Sequence, residues 1–152
     1  MTLAFAVARH FQLRDVLPYW LAQFGGAFAA VLLLSALFGN VANLGATLPS
    51  GPEADSFVME VVLTFFLMFV ITAVATDSRA IGQAAAIAIG ATVGLEAIFG
   101  GPISGASMNT ARSLAPAVVS GELSGLWIYI VAPPIGAVAG AIVYDLVRGE
   151  RT

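Results

Sequence analysis

The chain has 152 residues, of which 59% are hydrophobic and 10% are charged, whereas about half and about a quarter are usual in soluble domains. This composition excludes a soluble globule and a disordered chain, and it predicts a protein whose partner is the lipid bilayer. The chain has no Cys, which excludes disulfides and thiolate metal sites, and its 6 scattered basic residues, all Arg, leave no basic patch for nucleic acid.

The predicted elements are a short helix, four membrane spans and one irregular segment. Residues 1–9 are too short to cross a bilayer and lack the layout of a signal peptide, so they are predicted to form only part of a helix. A spanning helix needs about twenty apolar residues, and four stretches reach that length. The spans are predicted over residues 17–38, 57–76, 81–99 and 126–147, and the irregular segment over residues 100–117.

The distribution of Arg predicts the orientation of the spans, because cytoplasmic loops carry an excess of positive charge. Five Arg residues fall on one side of the predicted membrane: Arg9, Arg14, Arg79, Arg148 and Arg151. The loops on the opposite side carry acidic residues instead. We therefore expect both ends of the chain in the cytoplasm.

A short internal repeat relates the two halves of the chain. Residues 19–30 share Tyr, Ala and a Gly-Ala pair, in register, with residues 129–140. The first span is expected to run outward and the fourth inward, so the copies have opposite topology, as in many transport proteins. Extending the match places Met1 opposite Arg112, which predicts that the sequence begins inside a repeat unit.

The irregular segment, residues 100–117, is too rich in Gly and Ser for a hairpin and too apolar for a solvated loop. Backbone outside a helix is tolerated at membrane depth only where protein buries it or where it lines a wet cavity. We therefore predict a re-entrant loop followed by a short half-helix capped by Asn109. The positive end of that half-helix and the charge of Arg112 are expected to disfavour cations at the membrane centre.

Residues 101–117 read Gly-Pro-Ile-Ser-Gly-Ala-Ser-Met-Asn-Thr-Ala-Arg-Ser-Leu-Ala-Pro-Ala and resemble the second signature loop of the major intrinsic protein family, the aquaporins and glycerol channels. Residues 56–80 resemble the family's fourth helix and following turn, particularly in nodulin-26-like and bacterial members. Residues 127–136 resemble its sixth helix, and residues 2–6 resemble the half-helix after its first signature.

The resemblance implies an all-α membrane protein with one domain over residues 1–152. It is expected to be a partial aquaporin-like right-handed bundle of four transmembrane helices and two half-helices. The family's first two spans and first Asn-Pro-Ala signature have no counterpart in this sequence. The pore wall is therefore expected to be incomplete, through a misassigned start or through a real truncation.

The resemblance also implies roles for seven residues, with Thr110 replacing the Pro that is usual in the signature. The pore signature is Asn109, Thr110 and Ala111, the selectivity filter includes Ala97, Ala106 and Arg112, and Glu60 is expected to support the loop through hydrogen bonds. The two small Ala side chains imply a wider, less polar filter than that of water-specific members. Ser113, in contrast, matches the pattern of water channels. No metal or cofactor is implied.

Two further residues are interpreted without the family. Glu96 lies beside the filter position and is either a contact of the lumen or a protonated residue shielded from lipid. His10 is a lone His near the cytoplasmic face, where an interfacial role is favoured over metal binding.

The expected function is a passive channel for water and small uncharged solutes, such as glycerol, urea and metalloid hydroxides. The expected setting is a homotetramer of multi-pass chains in the plasma or cytoplasmic membrane. One alternative is a non-conducting remnant or associating subunit, and another is a fragment of a secondary transporter, although the sequence has no intramembrane ion pair suited to coupling. The scattered carboxylates and the lack of a grouped nucleophile and base argue against an enzyme.

Overall fold

The computed structural model describes residues 1–76 and 84–148. This part of the chain contains six α-helices: α1 (Thr2–Val7), α2 (Leu13–Phe38), α3 (Glu53–Thr76), α4 (Ala84–Ser104), α5 (Thr110–Ser120) and α6 (Leu126–Val147). Four of them, α2, α3, α4 and α6, are long and apolar enough to cross a membrane. The prediction of an all-α membrane fold with four spans and two short helices is confirmed.

Several helix ends differ from the predicted ones. The first spanning helix begins at Leu13 and contains Pro18 in its second turn. The short helix α1 ends at Val7, because Arg9 has a positive φ of 60° that no right-handed helix contains. The predicted start of the third span at residue 81 lies outside the described residues, as do Arg79 and Arg151.

The predicted start of the irregular segment at residue 100 was wrong. Helix α4 continues through Pro102 to Ser104, and the irregular backbone starts at Gly105. Two contacts with α3 explain the extra turn. Gly100 lies against the side chain of Leu63, and the Ser104 hydroxyl donates a hydrogen bond of 2.7 Å to Glu60.

Helices α3 and α6 form the most extensive pair among the described helices. Their backbones approach closely at two glycines of α6. A Cβ atom added to Gly136 would lie 2.2 Å from the carbonyl oxygen of Val61, and one added to Gly140 would lie 2.3 Å from that of Phe65. Small residues at a helix contact allow this approach, which drives packing where lipid removes the hydrophobic force between helices.

The two short helices pack crosswise between the long ones. Helix α1 contacts both α2 and α6, and α5 likewise contacts both α6 and α2. The first residues of α1 and α5 line one shared cavity, whereas their last residues lie toward opposite ends of the bundle. The short helix α1 of the first half therefore packs on α6 of the second half, and α5 of the second half packs on α2 of the first.

Polar contacts fasten both ends of the bundle. At one end His10 Nε2 lies 3.5 Å from Asp145 Oδ1. At the other end the Trp127 indole donates a 3.0 Å hydrogen bond to Glu53. Here the backbone N–H of Ser124 also donates a 3.1 Å hydrogen bond to the Glu122 carboxyl. Hydrogen bonds from the side chain and from the backbone of Ser124 lower the pKa of Glu122 below its ordinary value.

Helix α2 is packed on few sides. Of its residues, which the structure describes completely, only Val31 is buried. Cβ atoms added to Gly25 and Gly26 would meet no described atom within 4 Å. These small residues therefore leave an open apolar surface along α2.

Candidate functional site

The loop between α4 and α5 has an irregular backbone. Gly105, Ala106 and Met108 have positive φ values of 80°, 46° and 54°. This conformation prevents helical hydrogen bonding, so the buried N–H groups of the loop need other acceptors.

Glu60 supplies that acceptor from the third turn of α3. Its side chain is fully buried and accepts hydrogen bonds from the backbone N–H of Ser107 at 2.7 Å and of Met108 at 2.8 Å. It also accepts a hydrogen bond from the hydroxyl group of Ser104. Tyr129 of α6 donates a 2.6 Å hydrogen bond to the carbonyl oxygen of Ser104. The loop is thus held by α3 and α6 together. Besides the two backbone N–H groups, the donors are the hydroxyl groups of Ser104 and Tyr129.

The signature residues form the start of α5. Asn109 has an extended conformation and caps the helix, since its side-chain oxygen accepts a 3.0 Å hydrogen bond from the N–H of Ala111. Thr110 is the first helical residue and enters the helix without disrupting it. The side chain of Asn109 is exposed, so the same amide also faces open space.

Arg112 lies in the first turn of α5 with its side chain exposed. Its Nη1 atom donates a 2.9 Å hydrogen bond to the carbonyl oxygen of Gly45, which precedes α3 in the chain. Two residues further on, the Thr47 hydroxyl lies 2.6 Å from the Ser113 hydroxyl. Gly45 and Thr47 were not predicted as site residues, because no motif marks their segment.

Two cavities lie between α2 and the short helices. The larger, of about 480 Å³, is lined by Met1 and Thr2 of the α1 end and by Asn109 and Thr110 of the α5 end. The smaller, of about 350 Å³, is lined on the α5 side by Asn109, Ala111, Arg112 and Pro116. Gln23 of α2 lines both cavities and donates a 3.0 Å hydrogen bond to the Thr2 hydroxyl. No motif in the sequence indicates this role for Gln23.

The other two predicted filter residues have different surroundings. Ala106 is buried and belongs to an apolar cluster with Leu63, Leu67 and Met108. Ala97 is exposed on α4. The structure therefore brings Asn109, Ala111 and Arg112 to one cavity, packs Ala106 against α3 and leaves Ala97 on an open face.

Glu96 has unusual surroundings for an acidic residue. It is only 3% exposed, and neither carboxylate oxygen has a hydrogen-bond partner among the described residues. Burying a polar group without a partner costs free energy. Of the two alternatives for Glu96, a lumen contact and a protonated residue shielded from lipid, its burial agrees with the second.

The fold is that of a multi-pass membrane protein with four membrane-spanning helices. Its two short helices share a cavity at their first turns, and the re-entrant loop before α5 opens to that cavity. The chain belongs to the major intrinsic protein family, whose sequence profile matches residues 1–144. The resemblance seen in the signature loop is thereby confirmed.

Curated relatives support the nodulin-26-like assignment. Nodulin-26 of Glycine max is 53% identical over 149 residues, which are 97% of this chain and 55% of that protein. Aquaporin NIP2-2 of Zea mays is 51% identical over 151 residues, which are 99% of this chain and 51% of that protein. The chain thus spans about half the length of the curated relatives that it matches.

A solved structure shows the same fold. The X-ray structure of the aquaglyceroporin from Plasmodium falciparum superposes with a TM-score of 0.80 at 24% sequence identity. The match covers 97% of this chain and 70% of that one. Nearly the whole arrangement of helices described above therefore occurs in a protein of that fold.

Proposed function

We propose that this chain forms part of a passive channel for water and small uncharged solutes in the plasma or cytoplasmic membrane. One observation carries the proposal. Glu60 holds the irregular loop by its buried N–H groups, so that Asn109 and Arg112 remain exposed at a cavity instead of packing into the bundle. An exposed amide and guanidinium offer hydrogen bonds to a neutral solute along its path.

Exclusion of ions follows from the same residues. The amino-terminal end of α5 carries the positive end of the helix dipole, and Arg112 in its first turn adds a fixed positive charge. Both repel cations and protons, whereas they leave neutral solutes unaffected. Transport of this kind needs no covalent step and no cofactor.

The choice among neutral solutes is proposed to depend on side-chain size. Ala97 and Ala106 carry the smallest side chains that have a Cβ, so a filter that contains them is wide enough for glycerol, urea or metalloid hydroxides. Thr110 retains the helical start of α5 without the usual Pro. Glu60 is proposed to support the loop in every conducting state.

The exposed faces of α2 and α4 support association with further chains. Exposed apolar side chains cover both helices, among them Leu33, Leu37, Leu95 and Ile98. We propose that these faces are covered in a homotetramer or by further helices that complete the pore wall. On this proposal the 152 residues conduct poorly by themselves, because the exposed faces of α2 and α4 leave one side of the lumen open.

Osmotic swelling of proteoliposomes tests the proposal. We expect the 152-residue chain to raise water permeability only slightly above that of empty vesicles, and the chain extended by two upstream spans that end in Asn-Pro-Ala to raise it strongly. Equal, negligible permeability of both would favour the non-conducting subunit. Rapid swelling with the short chain, together with its oligomeric state by native mass spectrometry, would instead show that copies complete the pore.

Variants of the extended channel test the filter. Ala97→His is expected to narrow it and to reduce glycerol flux more than water flux, and Arg112→Ala is expected to admit cations or protons, as read by a pH-sensitive dye in the vesicles. Ala91→His, at another exposed position of α4, is the matched control and should leave both fluxes unchanged. An unchanged glycerol-to-water ratio in Ala97→His would remove Ala97 from the filter.

A further inference from the structure

A short segment before α3 lies against the signature loop and the first turn of α5. We call residues 45–50 the strap. The carbonyl oxygen of Gly45 accepts from Arg112, the Thr47 hydroxyl bonds the Ser113 hydroxyl, and the N–H of Ser50 donates a 3.0 Å hydrogen bond to the carbonyl oxygen of Ile103. The strap is therefore attached at three points along its length.

Thr47 begins a chain of buried hydroxyls that ends at the signature. Ser113 is fully buried and hydrogen-bonds Ser107, and the Ser107 hydroxyl donates a 3.0 Å hydrogen bond to the carbonyl oxygen of Asn109. Each hydroxyl has one proton to donate. Because Ser107 donates to Asn109, Ser113 donates to Ser107, and Thr47 in turn donates to Ser113. Residue 47, the first member of this series of hydroxyls, must therefore carry a hydroxyl group that can donate a hydrogen bond.

Thr47 also has a steric role. A Cβ atom added to Gly105 would lie 3.1 Å from the Thr47 methyl carbon, so this methyl group fills the space above the glycine. Thr47 is only 6% exposed. Its hydroxyl and its methyl group therefore fix the strap against the loop from two directions.

The position of Thr47 matters for Arg112. The Arg112 side chain is long and exposed, and its hydrogen-bond acceptor is a carbonyl oxygen only two residues from Thr47. Moreover, Ser113, the next member of the hydroxyl chain, directly follows Arg112 in sequence. The hydroxyl chain therefore restrains both the guanidinium's acceptor and the backbone that carries the guanidinium.

We propose that Thr47 is a positioning residue of the selectivity filter, whose hydroxyl chain through Ser113 and Ser107 fixes the Gly45 carbonyl oxygen and, with it, the orientation of the Arg112 guanidinium. The inference rests on the proposed channel function, since Arg112 selects solutes only in a channel.

Nuclear magnetic resonance of ¹⁵N-Arg-labelled chain in lipid nanodiscs tests the proposal without requiring conduction. The Arg112 signal is assigned by its loss in Arg112→Lys. In the unchanged chain we expect slow rotation of the guanidinium about its Nε–Cζ bond. Thr47→Val keeps the shape but removes the donor, and it is expected to raise the rotation rate about fivefold, as for the loss of one hydrogen bond.

Two further variants separate positioning from stability. Thr47→Ser keeps the hydroxyl and should restore slow rotation. Thr72→Val, the matched control, removes a buried hydroxyl that bonds the carbonyl oxygen of Met68 in its own helix, and it should leave the Arg112 signal unchanged. Free rotation in the unchanged chain, an unchanged signal in Thr47→Val, or an equal effect of Thr72→Val would each overturn the proposal.

Flux measurements then distinguish this inference from the channel function. In the extended channel Thr47→Val should change the glycerol-to-water permeability ratio at least twofold, and Thr47→Ser should return it toward the original value. Failure of every chain to conduct would overturn the proposed function, while the Arg112 signal would still decide whether Thr47 orients the guanidinium. A conducting channel with an unchanged ratio would show that Thr47 has no part in selectivity.

Discussion

Replacing Gly136 by Ala tests the contact between α3 and α6. The new Cβ atom would lie 2.2 Å from the carbonyl oxygen of Val61 and 3.0 Å from the backbone nitrogen of Phe65. Both are backbone atoms, which cannot rotate away as a side chain does. Contacts between carbon and oxygen are usually about 3.3 Å or longer, so the two helices must separate by about 1 Å.

The cost follows from this separation. Overpacking costs about 1–3 kcal/mol, and a gap of about 1 Å forfeits up to half of the dispersion attraction between the atoms it separates. Because this helix pair is the most extensive in the described bundle, we expect the upper end of the range. Gly136→Ala should lower the free energy of unfolding by about 3 kcal/mol.

Unfolding in mixed micelles of increasing SDS content, followed by tryptophan fluorescence, measures this change. The indole of Trp127 on α6 stacks on Phe57 of α3 with ring centroids 5.6 Å apart, so its emission reports the separation of these two helices. A Trp20→Phe background leaves Trp127 as the single Trp of the chain.

Gly94→Ala is the matched control, since a Cβ added to Gly94 would meet no described atom within 4 Å. It should stabilise α4 by up to about 1 kcal/mol, because Ala favours the helix over Gly. A change below about 0.5 kcal/mol in Gly136→Ala, the range of an uninvolved surface position, would refute the close backbone contact. An equal loss of stability in Gly94→Ala would also refute this contact.

Three further predictions concern the acidic residues. Glu60→Gln should replace an acceptor by a donor and leave a buried loop N–H unpaired, which costs about 1–3 kcal/mol; amide hydrogen exchange of the loop should speed up, and unchanged exchange would reveal another acceptor. Glu96→Leu should raise the free energy of unfolding, because it removes two buried oxygens that lack partners among the described residues; a lower unfolding midpoint in SDS would contradict this. The pKa of Glu122 is lowered by Ser124, so its stabilising contribution is present above the ordinary Glu pKa and is lost as the pH falls through the lowered value. Ser124→Ala removes the side-chain hydrogen bond and should raise the pKa of Glu122 in a ¹³C-detected titration; a Glu122 that titrates identically in both chains would exclude that side-chain hydrogen bond.

The spans and the signature loop could be predicted because their signals are local. A run of apolar residues has a length that can be compared with the bilayer, and the loop from Gly105 to Asn109 combines residue types that suit neither a helix nor water. The Asn109 cap is likewise a property of one residue and its neighbours. These features need no knowledge of what packs against them.

The remaining features depend on contacts between distant residues. Gly100 and Pro102 suggest a break, yet α4 continues past both because Leu63 and Glu60 of α3 receive the extra turn. The acceptor of Arg112 lies 67 residues away at Gly45. Nothing in the composition of the strap distinguishes it from an ordinary loop.

The crosswise packing of the short helices has a consequence for biosynthesis. Helix α1 has 6 residues, and one surface on which it packs belongs to α6. A helix of this length is unstable alone. About 120 residues separate the two helices, which a ribosome adding about 5–20 residues per second needs roughly 6–24 s to produce. During that interval the spans between α1 and α6 enter the membrane, and α1 still lacks the α6 surface on which it packs. Completion of α6, rather than insertion of α2, therefore determines when α1 acquires its final structure.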